Sequence, residues 1–183
     1  MSSIKECPVV YHQAVAWGDM DAFGHVNNVM YYRYIESARI EYLTQIEAFN
    51  HGLASVVSSS SCRYLRPVFY PDQLKIGVRV VEVRNSGFRM TYVLHSSKQQ
   101  QVVATAEAIV VMVDAKTFEK AAMPLELKQQ IAALEANFGN ELDIGLNHEK
   151  TSLSNIGRAL RDNLRENIEH IVPKKANKHI DRD

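Results

Sequence analysis

The chain has 183 residues, of which 46% are hydrophobic and 23% are charged, and its 21 Lys and Arg balance 21 Asp and Glu. This size and composition predict a globular protein made of one domain and an appendage. The zero net charge argues against a nucleic-acid binder, which needs a basic excess. Two cysteines without paired spacing give no disulfide framework, and neither a signal region nor a membrane-spanning apolar run occurs, so we expect a cytoplasmic protein.

The first predicted elements are a strand over 9–16, two chain breaks at Gly18 and Gly24, and a long helix. The helix begins at Asn27 or Asn28, with an asparagine as its N-cap, and it ends at 51–52. Its apolar positions follow helical spacing and form a wide arc: Tyr31, Tyr34, Ile35, Ala38, Tyr42, Ile46 and Phe49. The width of this arc predicts a helix that is covered on most sides.

After the helix, two-residue alternation replaces the helical period until about residue 125. We predict strands over 55–65, 74–84, 88–95 and 101–114, with a hairpin turn at 85–87 and a second turn at 96–100. Strand 101–114 carries apolar residues on both faces, which is typical of a central strand covered on each side. Tight turns between consecutive strands favour antiparallel pairing. The pattern therefore predicts an α+β fold in which a sheet curls around one helix, with edges and apolar surfaces that favour a second subunit.

The C-terminal part begins with a predicted helix over 125–137 and a loop over 138–147. An amphipathic helix over 152–171 follows, and its apolar stripe consists of Ile156, Leu160, Leu164, Ile168 and Ile171. A polar, disordered tail is predicted over 173–183. We therefore place one domain at 1–137 and a helical extension with its polar tail at 138–183, of which residues 150–183 are mildly basic.

The segment 17–28 concentrates two carboxylates, a glycine turn and a histidine before the helix. Asp21 lies near backbone N–H groups without intrahelical partners, and the helix dipole there favours an ionised carboxylate. Such a carboxylate can attack a carbonyl or deprotonate water, while the Asn28 N–H stabilises the oxyanion. We expect Asp19, two residues earlier in the chain, to point to the opposite face and to brace the turn. The alternative for Asp21 is that it only caps the turn, as Asp often does.

Other residues offer weaker chemistry. His25 is expected to support Asp21, although a base or a purely structural role stays open. We predict no metal site at Asp19, Asp21 and His25, because transition-metal sites usually hold more His or Cys ligands. Glu36 is a reserve carboxylate that pairs with Arg39 at helical spacing. Basic residues in or beside strands are candidates for substrate phosphates or else ordinary surface charges: Arg63, Arg66, Arg89 and Lys98.

The run 17–28, continued by 31–39, resembles the acyl-CoA thioesterases of the 4-hydroxybenzoyl-CoA thioesterase type. The resemblance covers roughly 9–124 and implies a hotdog fold, a curved antiparallel sheet wrapped around a long central helix. It implies that Asp21 is the catalytic carboxylate and that the polarising amide lies at or near Asn28. It also implies an active site between two subunits of a homodimer or homotetramer, and no cofactor, because coenzyme A is part of the substrate. Tyr31 joins Arg63, Arg66 and Arg89 as a candidate substrate-binding residue.

The leading hypothesis is therefore an enzyme that hydrolyses acyl-CoA to a free acid and coenzyme A. One alternative is the same reaction on acyl groups held by a carrier protein, which the basic segment 150–183 would suit. Another is a non-catalytic acyl-CoA-binding or interaction module that docks a partner through the 152–171 helix. A dehydratase is a weaker alternative, because dehydratases with the hotdog fold usually carry their catalytic pair at other positions.

Overall fold

A computed structural model describes residues 3–145 of the chain. The chain divides into two units, Met1–Ile144 and Gly145–Asp183. The first unit thus extends past the predicted domain boundary at residue 137. The amphipathic helix predicted over 152–171 and the tail over 173–183 lie outside the described residues.

Five strands form a single antiparallel sheet, which confirms the predicted strands and the α+β class. They are β1 (Val9–Ala14), β2 (Leu53–Tyr64), β3 (Gln73–Arg84), β4 (Gly87–Ser96) and β5 (Gln101–Asp114). Their order across the sheet is β1-β3-β4-β5-β2, so β1 and β2 are the edges and β4 is central. The predicted hairpins join β3 to β4 and β4 to β5. Alternation in β4 holds as predicted, because Phe88, Met90, Tyr92 and Leu94 are all buried.

The long helix α1 (Asn28–Gln45) packs against the core face of this sheet. Asn27 is its N-cap, and the Asn27 Oδ1 accepts the Val29 N–H at 3.0 Å, as the sequence predicts. The predicted end at 51–52 is wrong. Glu47 adopts a left-handed conformation (φ 51°) and the chain reverses there, so that Ala48–His51 form a separate 3₁₀ turn before Gly52. Phe49 consequently leaves the apolar arc and is 46% exposed.

Among residues 3–145, the predicted cover on both sides of α1 and β5 is not present. The inner face of α1 is buried, whereas Val29, Tyr32 and Ile40 are exposed. β5 does lie inside the sheet, but its burial mostly alternates: Ala104, Ala106 and Ala108 face the core, and the residues between them are only half-buried. The apolar residues on the second faces are therefore open to a further surface.

The second helix, α2 (Leu125–Ala136), closes the core through a buried carboxylate. Glu135 is fully buried, and it accepts hydrogen bonds from the Tyr42 hydroxyl (2.7 Å), the Val80 N–H (2.6 Å) and the Asn140 Nδ2 (2.7 Å). Asn140 also donates to the Glu6 carbonyl at 3.0 Å. This cluster links α1, β3, α2 and the segment after α2, which explains why the first unit continues beyond residue 137. Within residues 3–145, no helix is long and apolar enough to cross a membrane.

Candidate active site

The loop between β1 and α1 is held in a fixed shape by its own backbone. The Asp21 N–H donates to the His25 carbonyl (2.9 Å) and the Gly24 N–H donates to the Asp21 carbonyl (3.0 Å). Gly24 sits at φ 82°, a conformation that side-chain-bearing residues rarely adopt, so the glycine is needed there. The Val26 N–H donates to the Val68 carbonyl at 2.8 Å and thereby ties the loop to the segment after β2. A rigid turn therefore carries the predicted catalytic residues.

Asp21 and His25 form a direct pair within this turn. The Asp21 Oδ2 lies 3.2 Å from the His25 Nδ1, and its Oδ1 accepts the Phe23 N–H at 2.8 Å. The side chains are 20% and 36% exposed, so both remain accessible to solvent or substrate. Because Nδ1 faces the carboxylate, Nε2 is the imidazole atom left to exchange a proton elsewhere. The pair can therefore operate with Asp21 as the reacting group and His25 as its partner, or in the reverse sense.

Asp19 faces away from this pair. Its Oδ2 accepts the Tyr34 hydroxyl at 2.5 Å and the Ala16 N–H at 2.8 Å. Its carbonyl accepts the Asn27 N–H at 2.9 Å. The reason that the strand period was expected to give for this is wrong, because side chains two residues apart in extended backbone share a face. Asp19 instead ends the 3₁₀ turn Trp17–Asp19, and its contacts with Ala16 and Tyr34 hold its carboxylate away from Asp21. Asp19 thus makes the bracing contacts that the sequence analysis expects, between the loop and the middle of α1.

The first turn of α1 presents a free donor beside His25. The Asn27 Oδ1 takes the Val29 N–H and the Asn27 carbonyl takes the Met30 N–H (2.9 Å), whereas the Asn28 N–H has no hydrogen-bond partner among residues 3–145. The helix dipole adds a partial positive charge at this end. A free N–H at a helix start is a suitable donor for a developing oxyanion.

Two clefts open on either side of the turn. One of about 490 Å³ is lined by Asp21 together with Trp17, Met20 and Tyr70. The other, of about 250 Å³, is lined by His25, Asn28, Tyr31, Tyr64 and Arg66. The clefts share no lining residue, and the Asp21–His25 contact is the side-chain contact that joins them. The arrangement offers a carboxylate on one side and a polarising amide on the other.

The predicted substrate-binding residues divide into two groups. Tyr31 and Arg66 reach the cleft beside Asn28, although Tyr31 is only 2% exposed and its burial raises its pKa to about 12. Arg63 instead lines a separate hollow of about 400 Å³ with Thr91 and Thr105, on the sheet face opposite to the core.

Arg89 lies on the same outer face. Its guanidinium pairs with Glu82 (3.1 Å) and Glu107 (3.2 Å), which occupies its charge. Arg63 and Arg89 are thus not brought to the Asp21–Asn28 region of this chain. The Lys98 N–H donates to Asp72, a contact that holds the turn between β4 and β5.

The remaining carboxylate and metal candidates are also placed. Glu36 is 64% exposed and lies 3.6 Å from Arg39, away from the Asp21–His25 pair. In the part of the chain that the structure describes, no group of three His, Cys, Asp or Glu side chains is arranged to hold a metal ion. Three residues at the clefts were not predicted as site residues: Tyr64, Tyr70 and Trp17. Their aromatic character gave no distinction from core residues, and only the folded chain places them at the clefts.

The chain is similar to known thioesterases over the region that carries this site. A family model described as the Thioesterase-like superfamily matches residues 15–131. The long-chain acyl-CoA thioesterase FadM of Escherichia coli (strain K12) is 29% identical over 116 residues, which are 61% of this chain and 88% of that protein. A putative esterase of Aquifex aeolicus (strain VF5) is 30% identical over 105 residues, 54% of this chain and 80% of the relative.

The chain is also similar to solved structures over most of its length. A thioesterase from Thermus thermophilus, crystallised with coenzyme A and zinc, has a TM-score of 0.65 at 30% identity and covers 72% of this chain and 97% of that one. The PA5185 protein of Pseudomonas aeruginosa has a TM-score of 0.64 at 30% identity, with 71% and 93% covered. These matches confirm the predicted hotdog fold. They do not single out the 4-hydroxybenzoyl-CoA type, which stays a prediction.

Proposed function

This chain belongs to the Thioesterase-like superfamily, and from that premise we propose that it hydrolyses acyl-CoA thioesters at Asp21. The observation that carries the proposal is the position of Asp21. Its carboxylate is paired with His25 in a rigid turn directly before the helix whose first N–H, that of Asn28, is free within residues 3–145. The similarity to FadM, a long-chain acyl-CoA thioesterase, supports acyl-CoA as the substrate class.

In the proposed reaction, Asp21 and the Asn28 N–H act on the same thioester carbonyl group. Water adds a hydroxyl to the acyl carbon and a proton to the leaving sulfur, so the products are a carboxylic acid and a thiol. Asp21 either attacks the carbonyl carbon, giving an anhydride that water then opens, or removes a proton from the attacking water. The carbonyl oxygen gains negative charge in both routes, and the Asn28 N–H with the helix dipole stabilises it.

His25 is the partner of this carboxylate. Its Nδ1 contact with the Asp21 Oδ2 fixes the orientation of the carboxylate, and its Nε2 is left to exchange a proton with the leaving group or with water. Asp21→Asn keeps the size of the side chain but removes the charge and the basicity, so it separates this role from simple turn capping.

Coenzyme A enters this scheme as substrate rather than as cofactor. Arg66 is exposed at the cleft that Asn28 lines, so it is the basic residue best placed to contact substrate phosphates. Arg63 and Arg89, on the outer sheet face, would reach a substrate only if another subunit brought that face to a site.

A homodimer or homotetramer is part of the proposal. β2 forms one edge of the sheet, it is twelve residues long, and most of its residues are exposed. An unpaired edge of this length is a template for another strand. Tyr64, the last residue of β2, lines the Asn28 cleft, so a second copy paired along β2 would lie beside the site. Light scattering on the purified full-length chain measures the assembly, and a monomer at working concentration would contradict this part.

The direct test is turnover of an acyl-CoA panel by wild type and Asp21→Asn. We expect hydrolysis of at least one chain length by wild type and a loss of at least about 100-fold in kcat for the variant. Matched acyl-carrier-protein substrates address the first alternative, which requires faster turnover on the carrier-bound acyl group. Tight acyl-CoA binding without turnover would instead favour the binding-module alternative.

The role of the C-terminal extension needs a cut that spares the core. Asn140 donates to Glu6 and Glu135, so a deletion should remove 146–183 rather than start at residue 140. If the deleted protein hydrolyses acyl-CoA at the wild-type rate, the extension does not take part in the chemistry.

A further inference from the structure

Tyr64 makes two independent contacts with the first turn of α1. Its hydroxyl donates to the Asn28 carbonyl at 3.2 Å. Its ring meets that of Tyr31 edge to face, with the centroids 5.0 Å apart and the planes at 78°. Tyr64 is the last residue of the edge strand β2, so these contacts join the sheet edge to the helix start.

The hydroxyl contact acts on one particular peptide group. The Asn28 carbonyl and the Val29 N–H belong to the same planar unit. Tyr64 donates to the carbonyl of this unit, and the Asn27 Oδ1 accepts its N–H at 3.0 Å. The unit is therefore held at both ends by side chains. The Asn28 N–H lies in the preceding Asn27–Asn28 plane, and the two planes meet at the Asn28 Cα, so anchoring the Asn28 carbonyl restrains the Cα next to that N–H.

The neighbouring peptide group is held at one end only. The Asn27 carbonyl accepts the Met30 N–H at 2.9 Å, while the Asn28 N–H at the other end is free within the described residues. The position of that N–H therefore depends on how firmly the Asn28 Cα, which the two peptide planes share, is held. An oxyanion donor that is fixed before the reaction stabilises the transition state without reorganisation.

We propose that Tyr64 is a positioning residue that restrains the Asn28 N–H by anchoring the Asn28 carbonyl at the start of α1. This inference rests on the proposed function for its catalytic consequence, because it assumes that the Asn28 N–H polarises the thioester carbonyl. Its structural consequence, a more mobile first turn when the hydroxyl is lost, is independent of the reaction. The two consequences can be measured separately.

The structural test compares full-length wild type, Tyr64→Phe and Tyr11→Phe by amide hydrogen exchange. Tyr64→Phe removes one oxygen and keeps the ring that contacts Tyr31. Tyr11→Phe removes a hydroxyl from β1, for which no hydrogen bond is found among residues 3–145, and serves as the matched control. Within residues 28–30, we expect the hydrogen-bonded Val29 and Met30 amides to exchange about 2- to 10-fold faster in Tyr64→Phe alone, the factor that the loss of one hydrogen bond corresponds to. Unchanged exchange in this segment would overturn the inference.

The catalytic test measures kcat and KM of the same three proteins. We expect kcat of Tyr64→Phe to fall about 2- to 10-fold, with KM within about twofold of wild type, because the lost alignment acts on the transition state. A rise in KM with unchanged kcat would overturn the positioning role and indicate a ground-state contact with substrate. If exchange in residues 28–30 rises but wild type hydrolyses no thioester, the positioning of the helix start stands and the proposed function fails.

Discussion

The contact between Asp19 and Tyr34 tests the separation of the two carboxylates in the turn. Tyr34 is 3% exposed. Its burial and, to a smaller extent, its hydrogen bond to Asp19 raise the pKa of Tyr34, so the hydroxyl keeps its proton and donates. Tyr34→Phe removes this donor and leaves the Asp19 Oδ2 with the Ala16 N–H alone. The helix would then lose its side-chain link to the loop.

The cost can be worked out from these contacts. A hydrogen bond to a charged group contributes about 1.5–3 kcal/mol to stability. Asp19 is only partly buried, so solvent screening reduces this contribution to about 1–2 kcal/mol. We expect Tyr34→Phe to lower the free energy of unfolding by that amount. The kcat for an acyl-CoA should fall less than about 10-fold, because Asp21 and the Asn28 N–H remain.

A double-mutant cycle isolates the interaction. Urea unfolding of wild type, Asp19→Ala, Tyr34→Phe and the double variant should give a coupling energy of about 1 kcal/mol, because alanine, unlike asparagine, has no oxygen to accept the Tyr34 hydroxyl. Asp19→Asn should also retain far more activity than Asp21→Asn. A coupling energy near zero, or equal losses of kcat in the two Asp variants, would refute the division of roles.

Two further substitutions test the fold around the site. Glu135→Ala leaves three donors without their buried acceptor and should cost about 3–5 kcal/mol in urea unfolding, whereas Glu135→Gln should cost less. Burial raises the pKa of Glu135 in the folded state. The stability of wild type should therefore fall as pH rises above about 4.3 through the folded pKa. The Gln variant should lack this pH dependence, and identical stability profiles of the two proteins against pH would contradict the burial of an ionisable group. Gly87→Ala places a Cβ 2.2 Å from the Val110 carbonyl oxygen and should lower the free energy of unfolding by more than about 2 kcal/mol. At Gly18 a Cβ meets open space, so Gly18→Ala should change that free energy by less than about 0.5 kcal/mol. Equal effects of the two substitutions would contradict the close packing at Gly87.

Local periodicity was enough to predict most of the fold. β3, β4 and β5 lie where alternation predicts them, because each strand has one face on the core and the other face more open. The end of α1 was not predictable in this way. Glu47 has no sequence feature that favours a left-handed conformation, and the chain reverses there to bury Ala48.

The site was predictable where its residues are close in sequence. Different roles for Asp19 and Asp21 were expected, but the strand period does not give them, because it puts residues 19 and 21 on one face. The 3₁₀ turn Trp17–Asp19 is what separates the two carboxylates. Arg63 depends instead on an irregularity in β2. A β-bulge between Val57 and Ser59 shifts the register, so the core-facing positions change from odd to even residues and Arg63 turns to the outer face.

Tyr64 shows the limit of reading the sequence for this site. It lies 36 residues from Asn28, and only the pairing of β2 with β5 brings its hydroxyl to the helix start. No local pattern distinguishes a tyrosine with that role from one that fills the core.

The central claim is that the Asp21 carboxylate is the group that reacts. Single-turnover hydrolysis of an acyl-CoA by a saturating excess of full-length wild type or Asp21→Asn tests this claim, with oligomeric state and acyl-CoA affinity measured for both proteins. We predict a rate at least about 100-fold lower in the variant, with assembly and affinity retained. A rate for Asp21→Asn within about twofold of wild type would contradict the assignment of Asp21 as the reacting group.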